Sequence, residues 1–282
     1  MTAAVTSAVR ASARNLKVYD QPAVVSHYSA LQYLTPCEEY LFDRFIQPGC
    51  AVLDLGVGGG RTTSFLGETA SSYIGLDRSA DMIRSCQRKF PQYRFEVGDA
   101  CDLSVFADAS FNAVIMAFNS FDYVLAAADR EQCLRACYRL LKSGGVLIFS
   151  SHNPRSVLVR PAWNRERVEN FCARRCSPTS GFFGPFLVLG NIARWSLAAG
   201  QAGAATLARF SRAIVSRAFW QGEGCVFDSA HGGLFTHCWT PTRAMTAVTA
   251  RGFQVETYMG DDYPRRSGIF VTDWFYYVFR KP

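Results

Sequence analysis

The chain has 282 residues, of which 49% are hydrophobic and 19% are charged, with a formal net charge of +7. This composition is typical of a globular protein and excludes an intrinsically disordered one. The length suffices for one well-buried α/β domain with an insertion. Its ten cysteines include no Cys-x-x-Cys pair, which predicts reduced, buried thiols and no metal site. The N-terminal residues lack an apolar signal segment, which predicts a cytoplasmic protein.

The first 153 residues divide into two parts. Residues 1–48 are predicted to form a loose tail over 1–17, followed by cap helices. From residue 49 to 153, strands and helices alternate, which predicts a parallel sheet. Strands are expected at 50–57, 73–76, 94–97, 113–117 and 146–150, and helices at 62–69, from 79 and at 129–142. Asp129 is the expected N-cap of the last helix and Gly144 its end.

The alternation stops at residue 154. Residues 154–226 are predicted to form a mainly helical insertion, and residues 227–282 complete the sheet with a helix at 242–251 and strands at 254–259 and 274–280. Residues 155–220 carry ten arginines, no lysine and two glutamates, so this segment has a charge of +8 and the remaining chain −1. Arginine in this setting suits phosphate or carboxylate recognition, a membrane surface or a solvated face.

A glycine loop follows the first predicted strand. The run Asp54-Leu-Gly-Val-Gly-Gly-Gly60 stands between that strand and a helix, an arrangement typical of nucleotide-binding α/β folds. Glycine permits positive φ angles and close approach of a ligand to the backbone. A dinucleotide fingerprint starting at Gly56 requires glycine at position 61, where this chain has Arg61. The loop therefore indicates another nucleotide.

Two acidic residues end the next strands. Asp77 can accept hydrogen bonds from both hydroxyls of a ribose. Asp99 lies in the turn Gly98-Asp-Ala100, where its carboxylate can accept from an adenine amine while the N–H of Ala100 meets a ring nitrogen. The alternatives are a surface Asp that flanks a helix and an ordinary turn Asp.

These segments, with Ala117-Phe-Asn-Ser-Phe-Asp122 and Leu140-Leu-Lys-Ser-Gly-Gly145, resemble the class I S-adenosylmethionine-dependent methyltransferases over residues 50–151 and 240–282. The resemblance implies a doubly wound, mostly parallel seven-stranded sheet with the last strand antiparallel. It also implies S-adenosyl-L-methionine as cofactor, bound over the carboxyl ends of the early strands. The expected cofactor-binding residues are Asp54, Gly56, Gly58, Gly60, Asp77, Arg78, Asp99, Ala100, Ala117 and Asn119. The segment from Tyr19 to Tyr28 resembles the lid helix of small-molecule members, so either tyrosine closes over the donor or both are packing aromatics.

Catalysis at a hydroxyl acceptor needs a base, and histidine titrates near neutral pH. The candidates are His152, at the end of the fifth strand, and His231 and His237, which flank a Gly-Gly turn. Each one could equally be structural or solvated. The expected substrate-binding residues are Arg165, Arg167, Arg174 and Arg175 of the insertion.

The sequence thus predicts a methyltransferase that acts on a small molecule, a sugar or natural-product-like acceptor, at oxygen. The acceptor, or a carrier that holds it, is expected to be anionic. One alternative is a nucleic-acid methyltransferase whose arginines track phosphates. The missing Asn-Pro-Pro-Tyr signature of base methylases after the fourth strand and the poor alternation of Lys and Arg on the core surface argue against it. The other is a module that binds the donor without chemistry. Peripheral membrane contact and the oligomeric state stay open.

Overall fold

The computed structural model describes residues 3–159, 216–228, 234–265 and 267–282. The strands are β1 (Ala51–Leu55), β2 (Ser72–Asp77), β3 (Arg94–Val97), β4 (Phe111–Met116), β5 (Leu141–His152), β6 (Glu223–Asp228), β7 (Leu234–Trp239), β8 (Gln254–Gly260) and β9 (Trp274–Arg280). The helices are α1 (Ala3–Tyr19), α2 (Pro22–Ala30), α3 (Pro36–Phe45), α4 (Thr63–Thr69), α5 (Ala80–Lys89), α6 (Ala127–Leu140), α7 (Pro154–Val159), α8 (Arg217–Gln221) and α9 (Pro241–Thr249), with a 3₁₀ turn at Ser120–Tyr123.

Seven strands form the central sheet in the order β3-β2-β1-β4-β5-β9-β8. The first five are parallel, and β9 runs antiparallel to both β5 and β8. The predicted fold class is therefore confirmed. Because β1 to β4 are parallel, their carboxyl ends meet at one edge of the sheet, and the acidic residues predicted there lie together.

Apolar side chains fill both faces of the sheet. Leu53 and Phe149 belong to the core on one face, whereas Val52 and Ile148 belong to the core on the other. Neighbouring residues of a strand point to opposite faces. The continuous apolar runs of β1, β4 and β5 are accordingly those of strands covered on both sides.

Helix α1 occupies the region predicted to be a loose tail, so that prediction is wrong. Its alanine-rich sequence favours a helix, and a tertiary contact holds its C-terminal half. The buried Asn15 side chain donates to the carbonyl of Phe235 (2.7 Å) and accepts from the N–H of the same residue (3.0 Å). The amide of Asn15 thus pairs with β7 as a neighbouring strand would, over a separation in sequence that local composition does not reveal.

Helix α6 differs from the prediction at both ends. Ala126 is its N-cap and makes no side-chain cap, and Asp129 lies within the first turn, where a carboxylate is still favourable. The helix ends at Leu140 and β5 starts at the next residue. Gly144, with φ of +78°, therefore lies inside the segment assigned to β5 and does not end the helix.

Strands β6 and β7 form a hairpin, a separate two-stranded sheet that the sequence analysis missed. The predicted boundary between residues 226 and 227 falls inside this hairpin, and β7 does not join the central sheet. Residues 160–215 of the predicted insertion lie outside the described residues. In the part of the chain that is described, no helix is long and apolar enough to cross a membrane.

Candidate active site

A cavity of about 440 Å³ lies at the carboxyl ends of β1 to β4, within the size range of small-molecule sites. Four segments of the sheet edge line it, one after each of β1 to β4, and α1 and α2 add further wall. From the sheet come Asp54, Gly56, Val57, Gly58, Gly59, Arg61, Thr62, Leu76, Asp77, Arg78, Gly98, Asp99, Ala100, Cys101, Met116, Ala117, Phe118 and Ser120, and from the helices Ser12, Asn15, Leu16, Tyr19 and Tyr28.

The glycine loop turns back against the end of β2. Gly56 and Gly58 have φ of +71° and +53°, a conformation that glycine adopts without strain. The N–H of Gly56 donates to the carbonyl of Leu76 (2.7 Å), and the N–H of Gly58 donates to Asp77 Oδ2 (2.8 Å). A Cβ on Gly60 would lie 2.9 Å from the Phe90 ring. Gly60 is thus a packing glycine and, unlike Gly56 and Gly58, does not line the cavity.

Gly59 lines the cavity where the sequence analysis named Gly60. A Cβ on Gly59 would lie 2.5 Å from the backbone of Tyr28 and Ser29, so this glycine lets α2 rest directly on the loop. Lys89 fastens the same contact, because its Nζ donates to the carbonyls of Ser29 and Gly59. The close approach is a tertiary feature, and the glycine run alone did not distinguish Gly59 from its neighbours.

Replacing Gly59 with alanine is expected to displace α2, because the added Cβ would overlap the Tyr28 backbone. Overpacking of this kind costs about 1–3 kcal/mol, so the free energy of unfolding in urea should fall by that amount. Gly58→Ala is the comparison, since its Cβ would meet no atom within 4 Å and its cost comes from backbone strain alone. If the Gly59 variant is as stable as wild type, α2 does not rest on the loop.

Asp77 receives two backbone hydrogen bonds, one on each oxygen. Oδ2 accepts from Gly58 and Oδ1 accepts from the N–H of Ser79 (2.9 Å). Burial raises the pKa of this carboxyl, and the two backbone donors act in the opposite direction. Each oxygen keeps a further lone pair, so the side chain, which lines the cavity, can still accept from a pair of ligand hydroxyls.

Asp99 and Ala100 line the cavity beyond the end of β3. Asp99 Oδ1 accepts from the N–H of Cys101 (2.9 Å), and Asp99 Oδ2 lies 3.4 Å from Arg78 Nε. Arg78 also donates to Ser12 Oγ of α1 (2.9 Å). The arginine thereby connects the Asp99 turn to α1.

Asp54 lies at the end of β1 and is 1% exposed. Its Oδ2 accepts from Thr62 Oγ1 and from the Tyr73 hydroxyl, both at 2.9 Å. Burial raises the pKa of Asp54 to about 6, and these two donors reduce that rise. Asp54 therefore orients the loop through Thr62 while it contributes to the cavity wall.

Three tyrosines stand at one end of the cavity. The Tyr19 ring lies 5.7 Å from that of Tyr28 and 5.2 Å from that of Tyr123, centroid to centroid. All three line the cavity, which brings the two tyrosines named from the sequence to the same place. Burial raises the pKa of Tyr19 well above its usual value, so its hydroxyl stays protonated and can donate.

Arg61 takes part in a buried network that the sequence did not indicate. Its guanidinium pairs with Glu38 of α3 and lies 4.6 Å from the ring centroid of Phe118. The Tyr276 hydroxyl donates to Glu38 Oε1 (2.6 Å). Because Arg61 directly follows the glycine loop and lines the cavity, this network fixes α3 and β9 to the loop.

His152 pairs with Asp122 at the end of β5. His152 Nδ1 lies 2.7 Å from Asp122 Oδ2, which also accepts from the backbone N–H of His152 (2.8 Å). Asp122 is 1% exposed, and burial raises its pKa while the contacts to His152 act against that rise. With Nδ1–H facing the carboxylate, the tautomer leaves a lone pair on Nε2. The sequence segment that contains Asp122 was identified, but no role was assigned to this residue.

Asn119 separates His152 from the cavity. Its Nδ2 lies 3.3 Å from His152 Nε2, and its neighbours Phe118 and Ser120 line the cavity, whereas Asn119 and His152 do not. Both Phe118 and Asn119 have positive φ angles, 53° and 63°, so the loop is held in a strained conformation. Asn119 therefore contacts the histidine and not the cavity.

His237 lies on β7, away from the cavity wall. It is 5% exposed, and burial lowers its pKa to about 3, with the charge of Arg130 contributing. A histidine this weakly basic is poorly suited to remove a proton near neutral pH, and His237 does not line the cavity. Five predicted site residues lie outside the described residues: His231, Arg165, Arg167, Arg174 and Arg175.

Among the residues that are described, no group of three or more His, Cys, Asp or Glu side chains could hold a metal ion.

Residues 52–145 match the family described as "Methyltransferase domain". This match identifies residues 52–145 as a methyltransferase domain. The sheet order, the glycine loop and the acidic strand ends are those expected of the class I S-adenosylmethionine-dependent methyltransferases, as the sequence resemblance indicated. S-adenosyl-L-methionine is the cofactor of that class.

The chain is similar to several methyltransferases. It is 36% identical over 100 residues to the demethylmenaquinone methyltransferase of Thermotoga maritima, which covers 35% of this chain and 42% of that protein. It is 29% identical over 150 residues to an uncharacterized methyltransferase of Synechocystis sp., which covers 51% and 69%. The fold superposes with a TM-score of 0.58 and 13% identity on 1,6-didemethyltoxoflavin-N1-methyltransferase of Burkholderia thailandensis, over 100% of this chain and 91% of that one. The match to the Thermotoga protein spans less than half of that protein's length.

Proposed function

We propose that this chain transfers a methyl group from S-adenosylmethionine to the oxygen of a small molecule. The observation that carries the proposal is the cavity where the glycine loop, Asp77 and Asp99 converge. When bound, the donor supplies an electrophilic methyl group. The relatives whose names state an acceptor act on small molecules, which supports the acceptor class.

The cavity residues fit the donor part by part. Asp77 would accept from the ribose hydroxyls. Asp99 and the N–H of Ala100 would meet the adenine edge. Gly56 and Gly58 bring bare backbone to the cavity wall, and a Cβ on Gly56 would lie 2.6 Å from Ser120, so this narrow stretch would hold the methionine end. Arg78 and Ala117 would complete the adenine side, and Tyr19 and Tyr28 would cover the donor.

His152 would act as the base for the acceptor hydroxyl. Asp122 fixes the ring so that Nε2 carries the lone pair, which accepts from Asn119 Nδ2 (3.3 Å). The acceptor hydroxyl would displace this amide before Nε2 takes its proton. The neighbouring Asn119 loop lies between the ring and the cavity, so the acceptor would approach past Phe118. A carboxylate partner also stabilises the imidazolium that proton transfer creates.

The acceptor is proposed to be sugar-like or natural-product-like and anionic, or held by an anionic carrier. The +8 charge of residues 155–220 supports this, because arginine pairs with phosphate and carboxylate in a fixed planar geometry. Arg165, Arg167, Arg174 and Arg175 are the arginines proposed to contact it. The segment directly follows β5, at the sheet edge where ligands of open α/β folds bind.

A turnover assay with a radiolabelled methyl donor and fractionated metabolites tests this function. Label should enter an anionic small-molecule fraction, with S-adenosylhomocysteine formed in equal amount. Label in RNA with a steep salt dependence would support a nucleic-acid methyltransferase instead. Donor binding without label in any fraction would support a module that binds without chemistry.

Asp77→Ala is expected to weaken binding of S-adenosylhomocysteine by about 1.5–3 kcal/mol, because hydrogen bonds to a charged acceptor are lost. This corresponds to a Kd increase of roughly 10- to 150-fold, measured by titration calorimetry. Asp77→Asn, which keeps one acceptor oxygen, should lose less affinity for S-adenosylhomocysteine than Asp77→Ala. Asp81→Ala is the matched control, since Asp81 pairs with Arg84 on the surface of α5. Equal affinity of the Asp77 and Asp81 variants would remove Asp77 from the donor site.

A further inference from the structure

A group of exposed apolar side chains lies outside the cavity. Trp220 is 65% exposed, Phe270 is 55% exposed and Val271 is 71% exposed. The Phe219 ring joins them, with its centroid 5.2 Å from that of Trp220 and 6.4 Å from that of Phe270. We call Phe219, Trp220, Phe270 and Val271 the aromatic patch. Contiguous exposed apolar surface of this kind marks an interaction site more often than isolated residues do.

Two hydrogen bonds fix the aromatic patch to the end of β5. Asn153 Nδ2 donates to the carbonyl of Ile269 (2.6 Å), next to Phe270. Arg155 Nε donates to the carbonyl of Phe219 (3.4 Å). Asn153 and Arg155 follow His152 directly in the chain. The patch therefore lies on the same side of the sheet as the carboxyl ends that form the candidate active site.

The surroundings of the patch carry positive charge. Arg217 and Arg265 are exposed and stand within a few residues of Trp220 and Phe270. The acidic residues that flank the two segments, Glu223, Asp262 and Asp273, are only partly exposed, whereas both arginines are exposed. Residues 155–220, which lead into α8, hold ten arginines against two glutamates. Aromatic residues at the level of lipid headgroups, with arginines beside them, are typical of proteins that bind an anionic membrane surface.

We propose that the aromatic patch, with Arg217 and Arg265, docks the protein on an anionic lipid surface. Trp220 and Phe270 would insert among the headgroups, and the arginines would pair with lipid phosphates. The exposed arginines beside the patch, and the positive excess of the segment that leads into α8, fit a phosphate-covered surface better than a protein of mixed charge. The inference goes beyond the proposed function and does not depend on which acceptor is methylated.

Vesicle flotation of the full chain tests the proposal. Wild type should float with vesicles of equal parts phosphatidylglycerol and phosphatidylcholine and not with pure phosphatidylcholine, and high salt should reduce flotation. Trp220→Ser combined with Phe270→Ser should lower the partition coefficient by about tenfold or more. Arg217→Gln combined with Arg265→Gln should also lower flotation with the anionic vesicles, because the pairing with lipid phosphates is lost.

The control is Val97→Ser with Val105→Ser, which removes two exposed apolar side chains elsewhere on the surface and should float as wild type does. Calorimetry with S-adenosylhomocysteine shows whether each variant is folded, independently of turnover. The proposal is overturned if wild type does not float, or if the patch variant floats unchanged. It is also overturned if sedimentation velocity without vesicles shows a dimer that the patch variant loses, because the patch would then bind a second copy.

Discussion

Replacing His152 with alanine is expected to lower kcat by a factor of about 10² to 10⁴, the usual contribution of a general base. The affinity for S-adenosylhomocysteine should not change, because His152 does not line the cavity proposed for the donor. Steady-state kinetics measures the change in kcat, and titration calorimetry measures the affinity.

Asp122→Asn tests whether Asp122 only orients the His152 ring or also stabilises its protonated form. The amide can still contact Nδ1 but no longer stabilises the imidazolium, so kcat should fall by about tenfold or more with KM for the donor unchanged. Asp108→Asn is the control, because Asp108 pairs with Arg139 at the surface and neither residue lines the cavity. Wild-type turnover in the His152 variant would contradict the base assignment and point to an acceptor atom that needs no deprotonation.

Local sequence was sufficient to locate the strands of the central sheet, whereas the antiparallel last strand was implied by the family resemblance. The strands β3 and β9 begin and end where the apolar patterns predicted, at Arg94–Val97 and Trp274–Arg280. The Ser79 side chain accepts from the N–H of Met82, as expected of the N-cap of α5. Buried strands and capped helices of this kind depend on neighbouring residues, so their signals lie within a few positions of one another.

Contacts between distant residues account for what the sequence did not reveal. Helix α1 is anchored by Asn15 to Phe235, 220 residues away. Arg61 was recognised as a departure from the usual loop pattern, yet its partner Glu38 and the Tyr276 hydroxyl come from other elements. A buried arginine needs such a partner, and a single sequence does not name it. The pairing of His152 with Asp122 was not predicted from the sequence for the same reason.

Acid is expected to destabilise the protein through His237. Burial lowers the pKa of His237 to about 3 in the folded state, against 6.5 for an unperturbed histidine. The unfolded chain therefore binds a proton below pH 6.5 that the folded chain does not bind until about pH 3. The stabilising effect of the neutral ring is fully present above pH 6.5 and is lost as pH falls through that window. At pH 4 the loss amounts to about 3 kcal/mol.

His237→Phe should remove this dependence, because the ring stays buried against Trp239 and no longer titrates. Urea unfolding of both proteins at pH 7.5 and pH 4 gives the change in the free energy of unfolding for each. The comparison between the two proteins is needed because Asp54, whose pKa burial raises to about 6, acts in the opposite sense and is present in both. Wild type should lose about 3 kcal/mol relative to the variant over this range. Equal pH dependence of wild type and His237→Phe would show that the folded protein binds the His237 proton as readily as the unfolded chain does.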